Sequence, residues 1–148
     1  MSNFSGIRSN PTYAKVLEGA ALAKKRKKVD LILAVGGGSV MDCSKAISLG
    51  AVYDGDLWDA YWAHAGKIET KPIPLGIVLT VSGTGSETNG GSVITNESLK
   101  VKTGRDYPEL NSQFAILNPN IRKQCRNSSS SPVLLTASPN MMEIYFSE

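Results

Sequence analysis

The sequence predicts an α/β fold built on an open parallel sheet, on three observations. Two short apolar runs, VDLILAV at 29–35 and PIPLGIVLTV at 72–81, are bounded by charged or turn-forming residues, as strands buried on both faces of a parallel sheet are. Each run leaves through a loop of small residues, GGGS at 36–39 and SGTGSETNGG at 82–91. Helical periodicity lies on either side of the first run, so helices and strands alternate.

Taken in order, Asn10 before Pro11 has the form of a helix entrance, a cap residue ahead of a proline at the first helical position. Tyr13, Val16, Leu17, Ala20 and Ala21 then recur at the spacing of one helical face, which predicts a helix over 11–27. The first strand follows at 29–35. Ser39, three residues before Asp42, has the form of a capping box in its aspartate version, and Val40, Ile47 and Ala51 supply the apolar stripe of a second helix. Leu57 to Ala63, with two tryptophans, reads as a short helical or irregular packing segment. After the second strand and its loop, Ser92 to Thr95 and Phe114 to Leu117 are each short strand candidates.

Composition narrows the class. With 41% hydrophobic and 20% charged residues over 148 positions, and no apolar run of the roughly 20 residues a membrane span needs, a soluble, cytoplasmic chain with no membrane partner is expected. The N-terminal MSNFSGIRSN lacks the continuous apolar stretch of a secretory signal. The net charge of +3 is concentrated in KKRKK at 24–28, at the end of the predicted helix, where the helix dipole favours cations. The competing reading, contact with nucleic acid, lacks an aromatic platform to accompany the charge, so no nucleic-acid partner is expected. Cys43 and Cys125 are read as free thiols, and His64, the only histidine, excludes a histidine-rich metal site.

Gly36, Gly37 and Gly38 carry no side chains, so a ligand can approach the main chain at this corner, and the next helix points unpaired N–H groups outward from it. Such a corner suits an anion, phosphate above all, although the same residues also serve as a plain strand-to-helix turn. The second loop adds hydroxyls and amides at the end of a second strand, where open α/β sheets bind ligands. A dinucleotide has the length to use both loops.

These residues are familiar as a set. GGGSVMDCSKAIS, AVYDGDLWD, PIPLGIVLTVSGTGSETNGGSVITNESLKVKTGRDYPELNSQFAILNP and the closing MMEIYFSE resemble the iron-containing (group III) alcohol dehydrogenases, in particular their butanol dehydrogenase branch. The likeness covers about residues 3–119 and resumes at 142–148. It implies a Rossmann-like N-terminal domain that binds NAD or NADP, and an all-helical C-terminal domain that supplies most of an iron or zinc site. It places the cofactor's pyrophosphate on Gly36, Gly37, Gly38 and Ser39, with Asp42 closing the motif. The family's T-x-x-x-T-G-S-E-x-N pattern falls on Thr80, Thr84, Gly85, Ser86, Glu87 and Asn89, with Thr80, Thr84 and Asn89 expected near the nicotinamide half. Lys102 aligns with a cofactor-contacting lysine. Asn89 and Lys102 read equally well as ordinary surface residues.

Three departures from the family pattern shape the expectation for this chain. The βαβ unit that normally precedes the segment matching NFSGIRSNPTYAKV is missing, and with it the adenosine side of the pocket. The C-terminal helical domain is absent. The family's Asp-x-x-x-His metal pair falls on Thr136 and Asn140, within a serine-rich stretch, 120–141, where similarity stops and then returns in register, as a compensated reading-frame excursion would produce. The expected organisation is a partial dinucleotide-binding domain at 1–119, a divergent segment at 120–141 and a short matching tail at 142–148. The expected behaviour is weak dinucleotide binding, no bound metal, no catalytic residue, negligible dehydrogenase activity and self-association through exposed sheet. A non-catalytic nucleotide-binding or assembly remnant of the family is the alternative.

Overall fold

The computed structural model of the chain describes residues 3–26 and 28–118. The divergent segment, the matching tail, Cys125, Thr136 and Asn140 lie outside the described residues. The predicted α/β class holds. Helix α1 (Tyr13–Lys25) leads into strand β1 (Ile32–Gly36), helix α2 (Gly38–Gly50), a π-helical turn (Trp58–Ala63) and strand β2 (Leu75–Leu79). Strands β3 (Gly91–Asn96) and β4 (Val101–Asp106), a 3-10 turn (Pro108–Leu110) and strand β5 (Phe114–Leu117) complete the order. The three strands β1, β2 and β5 run parallel, in the order β1-β2-β5, and β3 and β4 form a separate antiparallel hairpin.

Helix α2 covers one face of the parallel sheet, where Met41 packs with Ala34, Leu75, Ile77 and Leu79. A larger cluster joins α1, the other side of α2 and the π-helical turn through Val16, Ile47, Leu49, Trp58, Tyr61 and Trp62, closed by Ile94 of β3 and Leu110. Thus α2 is buried nearly all round and acts as the central spine. Among the described residues no helix is long and apolar enough to cross a membrane.

Several local expectations give way to tertiary contacts. Asn10 and Pro11 do not open α1. Pro11 O accepts from Thr95 N at 2.9 Å, holding the chain extended, and Thr12 becomes the cap, its Oγ1 accepting from Lys15 N at 3.3 Å. Ser39 and Asp42 do not form a capping box, because α2 starts two residues earlier than that motif requires, with Gly37 as a cap residue lacking a side chain. Strand β1 begins at Ile32 rather than Val29, and it is not buried on both faces: Leu33 and Val35 are 41% and 56% exposed. The hairpin strand β4, VKTGRD, lacks the apolar alternation that would have marked it.

Candidate functional site

The glycine corner forms where the parallel ladder ends. Gly36 O accepts from Thr80 N at 3.0 Å, so the chain leaves β1 beside the residue that follows β2. Gly37 is extended, with φ −96° and ψ −166°, and its carbonyl accepts from Val40 N and Met41 N as the first turn of α2 closes. Gly37, the cap residue, supplies no side-chain hydrogen bond to the leading amides of α2, so among the described residues that end of the helix presents its N–H groups and positive dipole pole at the corner.

Close packing disfavours a side chain at two of the glycines. A Cβ on Gly38 would stand 2.8 Å from Thr84 Oγ1, and one on Gly36 would stand 2.5 Å from a Val40 methyl. Such overpacking costs roughly 1–3 kcal/mol. A Cβ on Gly37 would meet only ordinary contacts, 3.5 Å from Val81 Cβ. The first and second loops therefore touch at Gly38 and Thr84, and face one another across Gly37 and Val81. This is the crevice at the carboxyl ends of parallel strands in which α/β sheets take ligands.

The second loop is built to hold one shape. Gly85 turns at φ +65°, and its carbonyl accepts from both Thr88 N and Thr88 Oγ1 at 2.9 Å. The Thr84 and Ser86 hydroxyls lie 2.9 Å apart, and Ser112 Oγ donates to Glu87 O at 2.8 Å. Gly90 passes so close to Tyr107 that an added Cβ would sit 1.8 Å from its carbonyl oxygen. Asn89 Oδ1 accepts from Gly91 N at 2.9 Å, a local turn within the loop.

The residue that the sequence reading missed is Lys45. It lies on α2 with 0% exposure, and its Nζ donates to Ser86 O at 2.7 Å, Gly91 O at 2.8 Å and Asn89 Oδ1 at 3.4 Å. Burial pulls the ammonium below its ordinary range, and Asp42, Asp106 and Glu87 pull it back. Its signal was a lysine inside the otherwise uncharged helical stretch CSKAISLG, hard to read because lysines on helices usually face water.

The remaining site residues divide. Gly36, Gly37, Gly38, Thr80 and Thr84 gather at the strand ends, with Ser39 half-buried in the first turn of α2. Asp42 faces the hairpin instead: its Oδ2 accepts from Val93 N at 3.1 Å, and its carbonyl accepts from Ser92 Oγ at 2.8 Å. Its Oδ1 is buried without a hydrogen bond. Burial raises the Asp42 carboxyl above its usual range, opposed by the Val93 amide and the nearby Ser86 hydroxyl. Lys102, exposed on β4, donates to Asn10 Oδ1 at 2.7 Å, and its charge also acts on Asp42. Asn89 stands on the Lys45 side of the loop with its carbonyl oxygen already committed.

Away from the crevice, His64 is exposed, with Nδ1 2.9 Å from Asp59 O. Lys24, in the basic run, pairs with Asp54 at 2.8 Å. Cys43 is a free, buried thiol whose pKa is pushed up to about 12 by burial, which keeps it protonated and inert. Among the described residues no group of three His, Cys, Asp or Glu side chains is placed to hold a metal ion.

Comparison with known proteins gives a consistent set. A family profile described as iron-containing alcohol dehydrogenase matches residues 1–119. The chain is 47% identical over 116 residues to a probable NADH-dependent butanol dehydrogenase of Bacillus subtilis, covering 78% of this chain and 29% of that protein. It is 41% identical over 115 residues to NADH-dependent butanol dehydrogenase A of Clostridium acetobutylicum, again covering 78% of this chain and 29% of that protein. Among solved structures, an NADH-dependent butanol dehydrogenase A from Thermotoga maritima superposes with a TM-score of 0.88 at 40% identity, over 98% of this chain and 36% of that one. A sulfoacetaldehyde reductase from Bifidobacterium kashiwanohense, solved with NAD+, gives 0.82 at 28% identity, over 88% of this chain and 34% of that one. The chain thus spans about 29% of the length of the curated relatives it matches first.

Proposed function

Since this chain belongs to the iron-containing alcohol dehydrogenases, whose members use a nicotinamide dinucleotide and iron, we propose that its crevice holds the diphosphate of NAD or NADP. The observation that carries this reading is the uncapped start of α2, opening between two loops that meet at Gly38 and Thr84. The amides of Gly37, Gly38 and Ser39 would take the phosphate oxygens, with the helix dipole adding to the attraction. Thr80 and Thr84 would line the path toward the nicotinamide, and Asn89 and Lys102 would bound it. Asp42, turned toward Val93, would act by fixing the hairpin to α2 rather than by touching the ligand.

When bound, the nicotinamide supplies hydride transfer to or from an alcohol or aldehyde carbon. Thr136 and Asn140 match neither the Asp nor the His of the family's metal-binding pair. We therefore assign no catalytic residue and expect negligible dehydrogenase activity from this chain alone. Its role would be that of a weak dinucleotide binder that associates with itself through exposed sheet, with no nucleic-acid or membrane partner and a cytoplasmic location. The face of the three-stranded sheet that stays open among the described residues favours that association, since parallel sheets are normally covered on both sides.

Titration of the full chain with NADH and with NADPH, followed by nicotinamide fluorescence, tests the proposal. Saturable binding weaker than micromolar is expected for one of the two. Gly37→Ala, allowed by the backbone and by the space near Val81, narrows the mouth of the crevice and should weaken that binding about tenfold or more, the equivalent of a lost polar contact. Binding of neither dinucleotide, or an unaltered affinity in the variant, contradicts the assignment; submicromolar affinity contradicts the expected weak binding.

A further inference from the structure

We infer that Lys45 is a positioning residue, whose three hydrogen bonds tie the loop after β2 to α2 and so set the width of the crevice between Thr84 and Gly38. The inference rests on the dinucleotide reading for its consequence, but its geometry stands independently of any ligand.

A lysine is a costly residue to remove from water, and at a merely structural position an apolar side chain would fill the same space. Among the described residues Lys45 joins no ion pair: its three acceptors there are neutral oxygens, two of them main-chain carbonyls. Asp42, Asp106 and Glu87 surround it without joining any of the ion pairs seen among the described residues. What the ammonium gains is a grip on the middle and on the far end of one loop. Ser86 O lies two residues after Thr84, and Gly91 O opens β3. From Ser86 the connection continues through its hydroxyl to Thr84 Oγ1 at 2.9 Å and from Thr84 to the space above Gly38. Asn89 Oδ1 completes the grip while it closes its own turn on Gly91 N. The loop carries no apolar side chain of its own to anchor it, since 82–91 reads SGTGSETNGG. A single cation on the rigid spine thus does the work that packing would otherwise do, and it does so three residues from Asp42, on the helix whose N-terminus faces the crevice.

Lys45→Met tests this, read by hydrogen exchange of peptides spanning 82–91 and 75–79 and by NADH affinity in the same samples. The expected result is exchange about tenfold faster in the loop, unchanged protection in β2, and NADH affinity lowered about tenfold, as for a lost hydrogen bond. Unchanged loop exchange overturns the inference, and so does equally faster exchange in loop and β2, which would mark Lys45 as a core residue only. If the unsubstituted chain binds NADH and the variant binds it equally well, the inference fails while the dinucleotide reading stands. If the unsubstituted chain binds none, that reading fails and the exchange data alone judge the grip. Should Lys45→Met not fold, the ammonium resonance of Lys45 in the ¹⁵N-labelled unsubstituted chain decides: slow proton exchange with coupling to the Ser86 and Gly91 carbonyls supports it, and rapid exchange overturns it.

Discussion

Asp42 holds β3 to α2 with two bonds, one through Oδ2 to Val93 N and one through its carbonyl to Ser92 Oγ. The arrangement leaves a partly buried carboxylate with one oxygen unpaired, and burial lifts its folded pKa above the ordinary value of 3.8. A group raised in this way holds its proton to higher pH in the folded than in the unfolded chain. Its contribution to stability is full below the unfolded value and is lost as pH rises through the folded one. Asp42→Asn removes that titration while its carbonyl oxygen can still accept from Val93 N. The urea midpoint of the variant should gain on that of the parent chain as pH rises from about 3 toward 7; a gap independent of pH would contradict this account. Residues at this scale were unevenly legible. The glycines of the corner and the hydroxyls of the second loop were visible in the sequence because small residues in a row have few other uses. Lys45 was not, since burial of a cation depends on acceptors that lie 41 to 46 positions away.

The elements were legible where a segment obeys one period. Strands β1 and β2 and the two long helices follow from apolar runs and helical spacing, and only their ends move. Those ends are set by distant partners: Thr95 pairs with the Pro11–Thr12 segment and shifts the start of α1, and Pro74 O takes Ile32 N and fixes where β1 begins. Strand β4 was illegible, because its residues earn their place through pairing with β3 rather than through burial. The three parallel strands also expose a surface. Register places Val35 beside Val78 and Val78 beside Ile116, and Val35, Ile116 and Phe114 are 56%, 49% and 42% exposed. An apolar row left uncovered among the described residues, bounded by strands that end the described sheet, favours self-association. Light scattering should show an assembly larger than one chain, and the double variant Val35→Lys with Ile116→Lys should return it to a folded monomer. A parent chain that is already monomeric at tens of micromolar would remove this part of the account.

For the whole molecule, the likeness to the iron-containing alcohol dehydrogenases and the physical reading of the loops arrive at the same corner from different directions. The family match rests on long segments in order; the corner rests on close approach, uncapped amides and strand ends. What neither direction supplied in advance was the mechanical link between the two loops, which exists only once α2, the 82–91 loop and the hairpin are folded together. The central claim is that the first amides of α2 receive a dinucleotide diphosphate. The most direct measurement follows the backbone amide resonances of the ¹⁵N-labelled chain during titration with NADH. The account predicts saturable shifts led by Gly37, Gly38 and Ser39, with Thr84 following. Unmoved resonances at those positions, while others shift, would contradict it.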